Sequence, residues 1–289
     1  MKSKILCSLA VIAFSVQTQA AIYTTDFESF NSGDNVTDGA NAGYGWTTNG
    51  DASLSPVNNW NPTLDPSLVD PMLGNQAAVI GWYAGSPAPL PSQPTIDLSH
   101  GCGETIINAG NGYGTHVALD FSILDSSPAQ PNRDTFGISL TATGGANIFQ
   151  LLFTPTVVAT INTWDVTYTV GGGGSGNLGH FNTLVDPSTG LRSTGTDTLG
   201  LSFSSKDASS AFYHVTMLIN GSLTTQTGTI AMAPGTLIDK FNATWTPVST
   251  ANPGDNYLLI DNLVMVPEAS TSLLLCMAGM SLALRRKRA

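Results

Sequence analysis

Between residues 21 and 266 the chain has little to build a helix from: glutamate stands only at Glu28 and Glu104, and lysine only at Lys206 and Lys240. Gly, Thr, Ser, Asn and Asp recur throughout instead, and these residues favour turns over helix interiors. Against this background, short runs with an apolar residue at every second position read as half-buried strands. Val117, Leu119, Phe121 and Ile123 share one face of such a strand, and Phe136, Ile138 and Leu140 share one face of the next. Residues 22–27, 77–83, 148–154, 164–170, 199–203, 212–219, 223–232, 241–246 and 257–265 continue the series. Asn220-Gly221, between two of these runs, is the pair that a type I′ hairpin turn requires. About ten short strands punctuated by turn residues predict an all-β domain, a jelly-roll β-sandwich.

Two stretches break the rhythm. Residues 39–71 hold Tyr44, Trp46 and Trp60 among Asn, Gly and Pro, as an ordered binding loop would, and residues 171–192 open on four glycines and read as a flexible loop. No internal repeat and no second domain boundary is visible.

The two ends of the chain are different in kind. Lys2 and Lys4 precede an uncharged run from residue 5 to residue 16, and Thr18-Gln19-Ala20 supplies small residues for cleavage. Residues 1–20 therefore read as a Sec signal peptide and stand outside the fold. At the other end, residues 272–284 carry no charge and are followed at once by Arg285, Arg286, Lys287 and Arg288. As a helix that run would rise roughly 20 Å against a hydrocarbon core of about 30 Å, a short transmembrane helix with a basic stop at the cytoplasmic face.

Excluding both ends leaves residues 21–266 with four basic residues (Arg133, Arg192, Lys206, Lys240) and nineteen acidic ones, a formal charge of −15. Such a surface repels nucleic acid and anionic lipid and attracts divalent cations. Of three cysteines, Cys7 and Cys276 lie in the end segments, so Cys102 has no partner for an internal disulfide. A domain of this length needs none.

The C-terminal segment, with Val266, Pro267, Glu268, Ala269 and Ser270 as a Pro-Glu turn ahead of the apolar run and the basic end, resembles the PEP-CTERM sorting signal. Ala269 stands where the usual motif has a second proline. The resemblance covers residues 267–289 and implies a Gram-negative exported protein whose tail is recognised, and removed, by an exosortase. It implies a cell-surface or matrix location, with transient anchoring in the inner membrane, and nothing about ligands.

Within residues 21–266 a second pattern is found: Asp26-Phe27-Glu28 near the start, Gly45-Trp46 after it, Asp134-Thr135-Phe136-Gly137-Ile138 in the middle, and Tyr257-Leu258-Leu259-Ile260-Asp261-Asn262-Leu263 at the close. These motifs resemble landmarks of jelly-roll carbohydrate-binding modules and concanavalin-A-like lectin domains. The resemblance implies that the first and last strands lie side by side with a structural calcium ion near their carboxylates. Glu28 and Asp261 would then be ligands, with Asp26 a third. Asp261 itself sits in a strongly apolar run, where a carboxylate needs a cation or hydrogen bonds.

Catalytic signatures are missing. With two glutamates before the tail, no Glu-x-Asp-x-x-Glu pattern of jelly-roll glucanases can be written, and no Gly-x-Ser-x-Gly occurs. His100, His116, His180 and His214 show no metal-ligand spacing. His214, beside Tyr213, reads as a structural histidine, and His100-Gly101-Cys102 as part of a Gly-rich loop. A non-catalytic matrix protein associating with exopolysaccharide in biofilm or floc is the function expected, with a secreted polysaccharide-degrading enzyme and a ligand-free structural protein as rivals. Sugar rings stack on exposed aromatics. Trp60, between Asn59 and Asn61, and Tyr44 are the glycan-contact candidates, while Trp46 and Trp82 read as core.

Overall fold

The computed structural model describes residues 23–30, 36–37, 39–48, 77–82, 95–105, 114–125, 133–158, 161–171, 174–182, 184–185, 192–193, 197–207, 209–219, 221–231, 236–248 and 256–268. The strands, in chain order, begin with β1 (Tyr23–Thr25), β2 (Trp46–Thr48), β3 (Ala78–Trp82), β4 (Ile96–Thr105), β5 (Gly114–Asp125) and β6 (Thr135–Ala142). They continue with β7 (Asn147–Val158), β8 (Ile161–Val170), β9 (Gly174–Asn182), β10 (Leu184–Val185) and β11 (Arg192–Ser193). The last are β12 (Asp197–Ser205), β13 (Ser210–Ile219), β14 (Ser222–Ala231), β15 (Leu237–Thr246) and β16 (Asn256–Glu268). The one helical element among the described residues is a 3-10 segment, Gly39–Tyr44.

All pairings are antiparallel and fall into two sheets. The first runs β1-β16-β5-β12-β13-β14, with β3 on the far part of β16 and the β10-β11 pair on the far part of β5. The second runs β2-β4-β15-β6-β7-β8-β9. Alternation along the strands drives the two inner faces together. Leu199, Leu201 and Phe203 of β12 point inward with Val117, Leu119 and Phe121 of β5, and Phe121 meets Phe153 of the second sheet at 5.3 Å between ring centroids. Each such buried aromatic or aliphatic side chain contributes about 1.5–3 kcal/mol.

The first and last strands do lie side by side, with Tyr23 opposite Met265 and Thr25 opposite Leu263. Phe27 follows β1 at a φ of 55° with no exposed surface; a Phe27 carbonyl to Phe30 amide bond of 3.0 Å closes the turn that drops both rings into the core. The central landmark also has a physical role. Buried Asp134 accepts hydrogen bonds from Trp245 Nε1 at 2.8 Å and from the Val248 amide at 2.9 Å, tying the start of β6 to the end of β15. Next to it, Arg133 Nη1 donates to the Thr163 carbonyl at 3.0 Å while the guanidinium lies 4.3 Å from the Trp164 ring centroid. On the outer face of the second sheet, Ser99 Oγ donates to Asn242 Oδ1 at 2.8 Å, and Asn242 Nδ2 donates to Ser139 Oγ at 3.3 Å and Thr141 Oγ1 at 3.4 Å, a polar ladder across β4, β15 and β6.

The expected strands are present, and the Asn220-Gly221 turn joins β13 to β14 with Ile219 opposite Ser222 and Gly221 at a φ of 73°. Three expectations are corrected. His100-Gly101-Cys102 is not in a loop but in β4, where Gly101 sits opposite Lys240. Residues 174–182, expected as part of a flexible loop, form β9: Tyr168 lies over Gly176, where a Cβ would fall 2.7 Å from its ring and force the ring to shift. The pair Pro267-Glu268, expected as a turn, ends β16 opposite Thr115 and Gly114. Proline is tolerated there at a strand end. Residues 1–20 and 269–289 lie outside the described residues, so the expected signal peptide, Ala269, Ser270, the apolar run and the expected basic stop do too. Among the described residues no helix is long and apolar enough to cross a membrane.

Candidate functional site

The outer face of the first sheet follows from the same alternation that builds the core. Between inward Thr115, Val117, Leu119 and Phe121, β5 turns His116, Ala118 and Asp120 outward, and between inward Leu199, Leu201 and Phe203, β12 turns Thr198, Gly200, Ser202 and Ser204 outward. β13 presents Phe212, His214 and Thr216. Register then aligns these side chains in rows across the sheet. Ser202 is opposite both His116 and His214, and His214 is opposite Thr227. In the next row Gly200 is opposite Ala118 and Thr216, and in the row beyond, Asp120 is opposite Asp261 and Thr198.

Two adjoining depressions occupy this face. One, about 590 Å³, is lined by Ser202, Ser204, Phe212, His214, Thr227 and Thr229 among others. The other, about 460 Å³, is lined by His116, Asp120, Thr198, Gly200, Thr216 and Asn262 among others. They share Ser202 and His214 and so form one groove from β16 to the edge strand β14. Gly200 keeps its floor low: a Cβ there would stand 3.9 Å from His116 Cε1 and from Thr216 Cβ. His116 Nδ1 and Ser202 Oγ are 2.9 Å apart, and Thr216 Oγ1 is 3.4 Å from His214 Nε2. Phe212 is 49% exposed at one end, with Lys206 Nζ 5.6 Å from its ring centroid.

The groove's other end is set by a bulge. Register shifts between Asp261 and Val264, Asn262 takes a φ of 48°, and its Nδ2 donates to Asp120 Oδ2 at 2.9 Å while its amide donates to Asp261 Oδ1 at 2.7 Å. Asp261 is buried, and loss of hydration pushes its carboxyl up to about 8 despite the Asn262 bond; the charges of Glu28, Asp120 and Asp26 push the same way. The carboxylates expected around calcium are thus electrostatic neighbours, with Asp120 a fourth that sequence reasoning missed. Asp26 Oδ1 already accepts the Glu28 amide at 3.2 Å, and among the described residues no three metal-ligating side chains gather at the spacing one ion needs.

Of the glycan candidates, Tyr44 is 41% exposed but stacks on Phe30 at 4.1 Å, donates its hydroxyl to the Ser29 carbonyl at 2.9 Å and does not line the groove. Trp60 lies outside the described residues. Trp46 is core as expected, its Nε1 donating to Tyr23 Oη at 3.1 Å. His100 is buried inward, stacked on Tyr23 at 3.9 Å and bonded to the Tyr44 carbonyl, and burial holds its imidazole below the usual range. His214, expected as a structural side chain, is exposed in the groove instead. His116, Ser202, Asp120 and Asn262 were not singled out as site residues from the sequence either. Alternation marks which face they share, but no sequence signal gives the register that aligns them.

No protein-family model matches the chain, and no curated protein matches it. Solved structures do resemble it in fold. The seed lectin of Lotus tetragonolobus shares 12% identity over 86% of this chain and 98% of its own, with a TM-score of 0.43. The winged bean acidic lectin, solved with methyl-α-D-galactose, shares 8% over 86% and 99%, with a TM-score of 0.45. An alginate lyase from Pseudomonas aeruginosa shares 10% over 72% and 86%, with a TM-score of 0.39. At such identities no site residue is carried over from those proteins to this chain.

Proposed function

We propose that this chain is an exported, non-catalytic surface or extracellular-matrix protein whose first-sheet groove contacts exopolysaccharide. The observation that carries the reading is the groove itself. It is open, crosses several strands, has a volume in the range of ligand sites, and offers hydroxyls, imidazoles, an amide and a carboxylate around one exposed aromatic ring. Polysaccharides present the matching chemistry, hydroxyl edges and apolar ring faces. The formal charge of −15 on residues 21–266 favours a neutral glycan over a polyanion. In this reading the domain is a jelly roll, the tail that includes Pro267 and Glu268 is handled by an exosortase after Sec export in a Gram-negative cell, and the destination is biofilm or floc.

Affinity electrophoresis through gels containing neutral or uronate polysaccharides tests the proposal. Retardation in a neutral gel that disappears in Phe212→Ala, with the melting point unchanged, supports it; free migration in every gel sinks it.

A second reading, a polysaccharide-degrading enzyme, is favoured by the His116–Ser202 pair at 2.9 Å, a base beside a hydroxyl. Against it, Ser202 lies mid-strand with both neighbouring strands in register, so nearby backbone amides serve the ladder rather than an oxyanion. Release of reducing ends from a polysaccharide panel, abolished by Ser202→Ala, would overturn the non-catalytic reading. Calcium remains a proposal of the same kind. A divalent cation beside Asp261 would offset the charges of Glu28, Asp120 and Asp26 that disfavour its carboxylate, and a melting point raised by calcium in the wild type but not in Asp261→Asn would support it.

A further inference from the structure

The strand row through Ser202 carries an imidazole on each side. His116 of β5 and His214 of β13 both stand opposite Ser202 of β12, so their Cβ atoms lie two strand spacings apart, about 10 Å. Two imidazoles can meet one tetrahedral cation across such a span, since each ring carries its Nε2 well away from its Cβ and a Zn–N bond adds about 2.0–2.1 Å.

Both rings lean the same way. His116 Cε1 comes within 3.9 Å of where a Cβ on Gly200 would stand, and His214 Nε2 lies 3.4 Å from Oγ1 of Thr216, the residue opposite Gly200. Each imidazole thus reaches from the Ser202 row towards the Gly200 row. Gly200 has no side chain and its β5 neighbour is Ala118, so space is left beneath the rings, and both histidines line the same depression of about 460 Å³.

His116 is also held as a ligand would be. Its Nδ1 is 2.9 Å from Ser202 Oγ; with Nδ1–H donating there, the ring is oriented and Nε2 keeps its lone pair, the service that a hydrogen-bond partner on the other nitrogen gives a metal-binding histidine. The contact of His214 with Thr216 is long for a hydrogen bond and yields readily to a cation.

We propose that His116 and His214 clip one borderline divalent cation of the zinc class over Gly200. Imidazole nitrogen suits zinc, whereas calcium takes oxygen ligands, so this site is chemically separate from the carboxylates around Asp261. Among the described residues no third His, Cys, Asp or Glu joins the pair, and water completes the shell. Four protein ligands close a structural zinc site; two leave positions open, so this ion exchanges and can accept an oxygen donor from a groove ligand. The formal charge of −15 on residues 21–266 draws cations to the surface.

Calorimetric titration of zinc chloride into the full chain, in a buffer that does not bind metal, tests the site without any glycan, so it stands or falls apart from the glycan reading. The wild type is expected to bind zinc, and His116→Gln and His214→Gln each to bind at least ~10-fold more weakly with an unchanged far-ultraviolet spectrum. Excess calcium and Asp261→Asn should leave the zinc affinity in place. Should His116→Gln unfold, His214→Gln, at an exposed side chain, decides. Absence of binding at millimolar zinc overturns the proposal. So does binding that survives both histidine substitutions, which would put the ion on a thiol or another imidazole, or binding lost in Asp261→Asn, which would put it among the carboxylates.

Discussion

Replacing Asp261 by asparagine should stabilise the metal-free protein at alkaline pH and do little at acid pH. Asp261 is 2% exposed, faces Asp120 across the β16-β5 pair and has its carboxyl pushed from 3.8 to about 8. The folded state therefore holds a proton that the unfolded chain gives up. Stability attributable to this group is full below pH 4 and is lost progressively as the pH rises through 8. At about 1.4 kcal/mol per unit the full rise amounts to about 6 kcal/mol, and solvent at the groove rim plus relaxation of the neighbouring carboxylates reduces the effect to ~2–3 kcal/mol. Asparagine keeps the acceptor for the Asn262 amide and carries no charge. For a domain of this size the variant should melt ~5–10 °C above the wild type at pH 8.5 in chelator, and close to it at pH 4. Thermal unfolding followed by near-ultraviolet circular dichroism at both pH values measures this, and subtracting the two proteins removes the titration of the other carboxylates. A variant that melts lower than the wild type at pH 8.5 would refute the reasoning.

Other outcomes follow from specific contacts. Gly171→Ala puts a Cβ against the Asn147 backbone carbonyl, which cannot yield without disturbing the start of β7, and should cost about 1–3 kcal/mol in urea unfolding. Asp134→Ala leaves the Trp245 indole and the Val248 amide without their acceptor and should cost at least ~2 kcal/mol, readable as a red shift and earlier loss of tryptophan fluorescence. Asn242→Ala breaks the ladder of Ser99, Ser139 and Thr141 and should lower stability by about 1–3 kcal/mol in the same unfolding assay. His100, held neutral by burial, should make the protein less stable as the pH falls below 6.5, and His100→Phe should remove that slope.

The fold was legible wherever side chains alternate. Val117 to Ile123 and Phe212 to Ile219 announce their faces because one side is buried and the other wet. It was obscure where glycine and small polar residues dominate. β4 runs through His100-Gly101-Cys102, and β9 through residues 174–182, with little apolar alternation; neighbouring strands impose the extended conformation on both. The site was less legible than the fold. Asp261 stood out because a carboxylate inside an apolar run is costly, and the structure buries it with its carboxyl pushed up to about 8, chiefly by loss of hydration. The groove was not, because His116, Ser202 and His214 are 86 and 12 residues apart along the chain and meet only through strand register. Aromatic residues drew attention to Tyr44, whose ring is occupied by Phe30, while Phe212, exposed in the groove, passed as one more alternating strand residue.

The most direct test of the groove uses its own histidines. The four imidazoles sit in distinct places: His116 and His214 in the groove, His100 stacked on Tyr23 in the interior, and His180 on β9 of the other sheet, 3.6 Å from Asp165. Titrating a neutral polysaccharide fragment into the protein while following histidine ring resonances should move the signals of His116 and His214 and leave those of His100 and His180 in place. Shifts confined to His180, or no shift at saturating fragment, would contradict glycan binding on this face.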